Sequence, residues 1–118
     1  MKTVGEPRIV LFSGPASSGK SELASRLARR IGGVHLEMDA VRQRLLPGAA
    51  HARGDREIAL RAMLWAAELL LGHGIPVILD AQYRREEDRR AVQELAEAKG
   101  ITLVLIECAV SEQAALER

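Results

Sequence analysis

The sequence predicts an α/β fold, a mostly parallel sheet of about four strands between two layers of helices. Three observations carry this expectation. Short apolar runs alternate with amphipathic helical stretches through the 118 residues, in the order βα, βαα, βα, βα; that alternation implies parallel strands joined by right-handed crossovers. Gly14-Pro15-Ala16-Ser17-Ser18-Gly19-Lys20-Ser21 fits the phosphate-binding pattern G-x-x-x-x-G-K-[ST] at every fixed position, between a strand and a helix. Two further acidic residues, Asp39 and Asp80, each follow a predicted strand. They therefore belong on the carboxyl edge of the sheet, where such folds bind ligands.

The elements follow in order. Met1 to Pro7 reads as a tail, and Arg8 to Phe12 as a buried strand. The helix from Glu22 to Ile31 carries Leu23, Leu27 and Ile31 four residues apart, with Ala24 and Ala28 beside them. Gly32-Gly33 stops it. Val34 to Met38 alternates apolar and polar as a strand does. A short helix from Ala40 to Leu45 follows, with Asp39 as its N-cap, and Pro47 to Gly54 reads as a loop. Asp55 caps a helix from Arg56 to about Gly72, in which Ile58, Ala62, Trp65 and Leu69 form one apolar row and Leu60, Leu64 and Leu71 another. So broad an apolar face predicts a well-buried helix with Trp65 in the core. Pro76 to Leu79 is a strand that runs into Asp80. A helix from Arg85 to Lys99 shows the narrow stripe Val92, Leu95, Ala96, and Ile101 to Cys108 is a nearly continuous apolar strand of the kind covered on both faces. Ser111 caps a last helix that the chain cuts short at Arg118.

Composition bounds the function. The chain is 47% hydrophobic and 28% charged, which predicts one globular domain over residues 1–118. Its net charge of +1 provides no strong field for nucleic acid or membrane, and Phe12, Trp65 and Tyr83 are too few aromatics for a base-stacking surface. Cys108 is the sole cysteine, so no internal disulfide forms, and a reducing cytoplasm fits. No apolar run is long enough to span a bilayer.

The phosphate-binding loop has a direct physical reading. Gly14 and Gly19 allow backbone angles that a Cβ forbids, so inward N–H groups and a helix N-terminus can cradle an anion. Lys20 supplies a full charge for the β- and γ-phosphates, and Ser21 a hydroxyl for Mg²⁺. Asp80, closing Val77-Ile78-Leu79, is placed to hold the same metal, directly or through water. Residue 81 is alanine, where many NTP-driven motors carry a water-activating glutamate, and no Asn-Lys-x-Asp tetrapeptide reads guanine. Phosphoryl transfer to another molecule becomes the leading reaction. Asp39 can take the acceptor proton while Arg42, three residues on, holds a polar or anionic part of the acceptor. From spacing alone, an N-cap beside a surface arginine reads equally well. His35 reads as packing or strand edge, His51 as loop and His73 as a helix-end cation.

These residues resemble the small P-loop kinases of the zeta-toxin and chloramphenicol phosphotransferase type, which are similar to the polynucleotide kinase domain. The resemblance rests on Gly14 to Ser21, on Asp39-Ala40-Val41-Arg42 and on Gly74 to Ala81, and it runs from Arg8 to Arg118. It implies the P-loop NTPase three-layer αβα sandwich, ATP as donor, Mg²⁺ as cofactor, Asp39 as acceptor base and Arg42 on the acceptor. Relatives often carry a threonine two residues after the third-strand Asp, where this chain has Gln82. Arg89 matches an arginine common in the following helix, and Arg118 falls where the first lid arginine sits near the nucleotide. The lid and a fifth strand are expected beyond Arg118, which leaves the domain incomplete at that end. The expected partners are a nucleotide and a small-molecule acceptor. The alternatives are a nucleotide-binding module without turnover and a kinase of nucleic-acid 5′-hydroxyl ends; an oligomer is compatible with either.

Overall fold

A computed structural model describes residues 8–14, 19–46, 53–80 and 86–108, apart from the side chains of residues 53 and 86. Four strands, β1 (Arg8–Ser13), β2 (Val34–Glu37), β3 (Val77–Asp80) and β4 (Thr102–Glu107), alternate with helices α1 (Lys20–Ile31), α2 (Met38–Leu45), α3 (Arg53–Gly72) and α4 (Glu86–Lys99). The sheet order is β2-β3-β1-β4, with every pair parallel. The expected α/β fold is therefore the observed one, with element ends displaced by a few residues at most. The expected tail, the loop through Ala52, the residues from Ala81 to Arg85 and the helix after Ser111 lie outside the described residues, as do His51 and Gln82.

Two cores flank the sheet, set by the two-residue alternation of β1 and β3. Ile9, Leu11, Val77 and Leu79 face one way, onto Met38 of α2, Ala59, Leu60, Met63, Ala67 and Leu71 of α3, and Val92 and Ala96 of α4. Val10, Phe12 and Ile78 face the other, onto Ala24 and Ala28 of α1. β3 lies between β2 and β1, and all four of its residues are buried. Its unbroken apolar run is the mark of a parallel strand covered on both faces.

Three sequence expectations are corrected here. The row Ile58, Trp65, Leu69 is not core: these side chains are 50%, 66% and 51% exposed. α3 instead turns its small and slender residues to the sheet, where Ala59 and Ala67 allow close approach. Leu23 of α1 is likewise half exposed, and Ala24 and Ala28 form the contact. β4 is not covered on both faces, since Val104 and Leu105, which alternate in direction, are both exposed. It is an edge strand paired on one side with β1, and its apolar run reflects position in the sheet less than expected.

The turn from α1 into β2 depends on close backbone approach. Gly32 takes a left-handed conformation at φ 67° and ends α1. A Cβ on Gly33 would lie 2.8 Å from the Pro76 carbonyl oxygen, which already accepts the Val34 N–H at 3.0 Å. Gly33→Ala must push β2 and β3 apart at the start of their pairing. We expect it to lower the unfolding free energy by about 1–3 kcal/mol, as overpacking does, measured by urea denaturation; an unchanged midpoint would show that the turn accommodates the methyl group.

Candidate functional site

The sheet register brings the functional elements to one edge. Phe12 on β1, Asp80 on β3 and Glu37 on β2 are level across three adjacent strands. β1 ends at Ser13 and runs into Gly14, and Gly19 is the left-handed N-cap of α1 at φ 79°. Gly14 has φ 146°, and a Cβ there would overlap the Cys108 carbonyl oxygen. Only glycine meets both demands at that point. Cys108 N–H donates to the Ser13 carbonyl at 2.8 Å, so β4 braces the entry to the phosphate-binding stretch. Pro15, Ala16, Ser17 and Ser18, which complete the predicted cradle, lie outside the described residues, as does Arg118.

Asp80 is the centre of the site. It is 0% exposed, and its carboxylate accepts three side-chain hydrogen bonds. Lys20 Nζ reaches Oδ1 at 2.8 Å, and Ser21 Oγ donates to Oδ2 at 2.8 Å. His35 Nε2 lies 2.9 Å from the same Oδ2. An ionised carboxylate only accepts, so the imidazole proton in this contact is on Nε2. Burial is the largest single influence on the Asp80 carboxyl and pushes its pKa up. The bonds from His35, Lys20 and Ser21, with the Lys20 charge, outweigh it and hold the pKa below the ordinary value. Lys20 itself is buried on the first turn of α1.

A lowered folded-state pKa fixes the sign of an acid effect. The Asp80 contribution to stability is complete above the ordinary carboxyl pKa of about 4 and is lost as pH falls through the lower folded value. We expect the urea midpoint to drop on acidification through this window, with a shallower drop in Asp80→Asn. Identical pH profiles for the two proteins would contradict the assignment.

The remaining predicted residues take different places. The predicted N-cap is corrected: Glu37 occupies that position, and Asp39 lies inside the first turn of α2. The helix starts two residues early because Met38 is buried in the core and anchors its first turn. Asp39 Oδ1 accepts from Arg42 Nη2 at 3.0 Å, and the Asp39 side chain is 67% exposed. Asp39 and Arg42 thus pair with each other just beyond the tip of β2, while buried Lys20 and Asp80 and half-buried Ser21 bond to one another. Arg89 of α4 approaches Glu107 at the tip of β4, at 3.4 Å.

Two residues at the site escaped the sequence reading. His35, expected as packing or strand edge, is a partner of Asp80, and Glu37 stands directly opposite Asp80 in the register. His35, Glu37 and Asp80 each bring a ligand-type atom within 4.8 Å of the others. The signal was the alternation of β2, which puts His35 and Glu37 on one face; the missing knowledge was that β2 borders β3. Hydroxyl and carboxylate oxygens are hard donors of the kind Mg²⁺ takes, so the direct Ser21–Asp80 contact suits a magnesium-bound nucleotide. Among the described residues no helix is long and apolar enough to cross a membrane.

Comparison with known proteins accords with this geometry. The chain is 36% identical over 96 residues to the adenylyl-sulfate kinase of Deinococcus deserti, covering 77% of this chain and 53% of that protein. It is 35% identical over 97 residues to the adenylyl-sulfate kinase of a Synechococcus species, covering 75% and 55%. The chain therefore spans about half the length of these curated relatives. Among solved structures, the APS kinase CysC of Mycobacterium tuberculosis in complex with AMPPNP and APS superposes with a TM-score of 0.74 at 26% identity, covering 96% of this chain and 68% of that one. The P-loop kinase character expected from the motifs is supported by these relatives; the zeta-toxin, chloramphenicol phosphotransferase or polynucleotide kinase subtype is not confirmed by them. Residues 9–118 match the model of the AAA domain family, and with the phosphate-loop glycines, Lys20, Ser21 and Asp80 in these positions the chain belongs to that family and has the P-loop kinase fold.

Proposed function

We propose that the protein is an ATP-dependent phosphotransferase that moves the γ-phosphate to a hydroxyl of a small-molecule acceptor. The observation that carries this reading is the buried Asp80 carboxylate, bound at once by Lys20 and Ser21 from the first turn of α1. Lys20 holds the β- and γ-phosphates. Ser21 and Asp80 would hold Mg²⁺, which neutralises phosphate charge when bound. The stretch Gly14 to Gly19 wraps the phosphates, with backbone N–H groups from Ala16, Ser17, Ser18 and Gly19 donating to them and Pro15, which has no N–H, serving only as part of the loop, and Arg118 adds a cation at the nucleotide. Asp39 is exposed and within reach of an incoming molecule. It takes the acceptor proton as the acceptor oxygen bonds to the γ-phosphorus and the bond to the β-phosphate oxygen breaks, releasing ADP. Arg42, paired with Asp39, orients the acceptor and holds the carboxylate in place.

The relatives favour a nucleotide-like acceptor, adenylyl sulfate, over sugars, antibiotics or 5′-hydroxyl oligonucleotides. The test is transfer from γ-labelled ATP across those four acceptor classes, with Lys20→Ala as control. We expect label on adenylyl sulfate with the wild-type chain and none with the variant. Label on another class would reassign the acceptor, and ATP binding without transfer to any of them would overturn the kinase reading in favour of a nucleotide-binding module.

A further inference from the structure

Among the described residues, one face of α3 carries exposed apolar side chains. Ile58, Ala62, Trp65 and Leu69 follow a spacing of four, three and four residues, which places them along one side of the helix. Ile58, Trp65 and Leu69 are each at least half exposed, and Trp65 is the most exposed at 66%. The opposite side of the same helix, Ala59, Met63 and Ala67, packs on the sheet. The exposed stripe therefore points away from the core and from the Asp80 cluster. A row of large apolar side chains on one helix face is the usual mark of an interaction surface.

The charges beside the stripe say what covers it. Arg61 and Glu68 lie seven residues apart, about 10 Å along the axis, and both flank the stripe on the same side. Two antiparallel copies of a helix related by a two-fold axis bring the same flank of each together. With the axis midway between Arg61 and Glu68, Arg61 of each copy is level with Glu68 of the other, giving two symmetric ion pairs. The same register sets Trp65 of the two copies beside each other at the axis and seats Leu69 of one between Ile58 and Ala62 of the other. Glu68 already has Lys99 at 3.4 Å on its own chain, so Arg61 of the second copy meets a carboxylate held in position. Apolar fit and charge pattern select one register together.

We propose that the occupant of this face is a second copy of the chain, joined by antiparallel pairing of α3 with α3 in a two-fold homodimer. The occupant is one of opposite polarity along the stripe, and the chain itself has that pattern.

The protein has one tryptophan, so Trp65 emission reports the interface directly. We expect sedimentation to show a monomer–dimer equilibrium in the micromolar range, with Trp65 emission shifting to shorter wavelength as the dimer forms. Trp65→Ala is expected to weaken the dimer by about 30-fold, and Arg61→Glu and Glu68→Arg by about tenfold each. Mixing these two charge variants restores both ion pairs between unlike copies, so the mixture should form a one-to-one heterodimer about tenfold tighter than the homodimer of either variant. That rescue also shows that both variants are folded. A wild-type chain that stays monomeric with concentration-independent Trp65 emission, or a mixture that fails to associate, would overturn the proposal and leave the face to another protein or segment.

Discussion

Asp80→Ala is expected to lower the unfolding free energy by about 3–5 kcal/mol, the cost of stranding one partner of a buried ion pair. The reason is specific to this site. Lys20 is almost fully buried, and its ammonium ends 2.8 Å from the Asp80 carboxylate. Removing the carboxylate leaves that charge buried without its counter-ion and also deprives Ser21 and His35 of their acceptor. The charge itself, more than the lost contact, sets the size of the effect. Lys20→Met together with Asp80→Leu removes both charges and should therefore recover a large part of the loss. Urea denaturation of the two variants measures this. A single variant within 1 kcal/mol of wild type, with no recovery in the double, would mean that the pair does not hold the site together. Asp80→Ala should also abolish phosphate transfer, since it removes the proposed metal ligand.

The second large effect is kinetic. Asp39→Asn keeps the size and hydrogen-bonding shape of the side chain while removing its capacity to take a proton. Positioned general bases are typically worth 10²–10⁴-fold in rate, so kcat should fall by about that factor while ATP affinity stays near wild type. Stability should barely change, because the Asp39 side chain is 67% exposed, where an ion pair contributes little, and the asparagine oxygen can still accept from Arg42. The split between rate and affinity distinguishes a base from a residue that only shapes the nucleotide site. A retained rate would remove Asp39 from the mechanism and make Glu37, opposite Asp80 in the sheet, the next carboxylate to examine.

Much of this architecture was legible in the residues because it depends on local chemistry. The glycines, Lys20 and Ser21 stand at fixed spacing between a strand and a helix, and an apolar run ending in Asp80 has few other meanings beside them. The apolar runs of β1 and β3 marked them as buried strands, and the structure then divides their side chains between two faces, Ile9, Leu11, Val77 and Leu79 on one and Val10, Phe12 and Ile78 on the other. Strand order was not legible, because nothing local to β2 says whether it borders β1 or β3. That single gap hid the bond from His35 to Asp80 and the opposition of Glu37 and Asp80. The helix α3 misled for a different reason. Its apolar residues nearly encircle it, so periodicity could not choose the inward face. The choice fell to Ala59 and Ala67, whose small side chains let the helix approach the sheet, and Trp65 was left outside.

The central claim is that Lys20, Ser21 and Asp80 together form a magnesium-nucleotide site. Calorimetric titration of ATP into the protein, with and without Mg²⁺, for wild type and Ser21→Ala, tests it most directly. The account predicts ATP binding that Mg²⁺ strengthens in the wild type, and a variant that still binds ATP but has lost most of the Mg²⁺ dependence. Wild-type protein that does not bind ATP, or a variant as responsive to Mg²⁺ as the wild type, would contradict it.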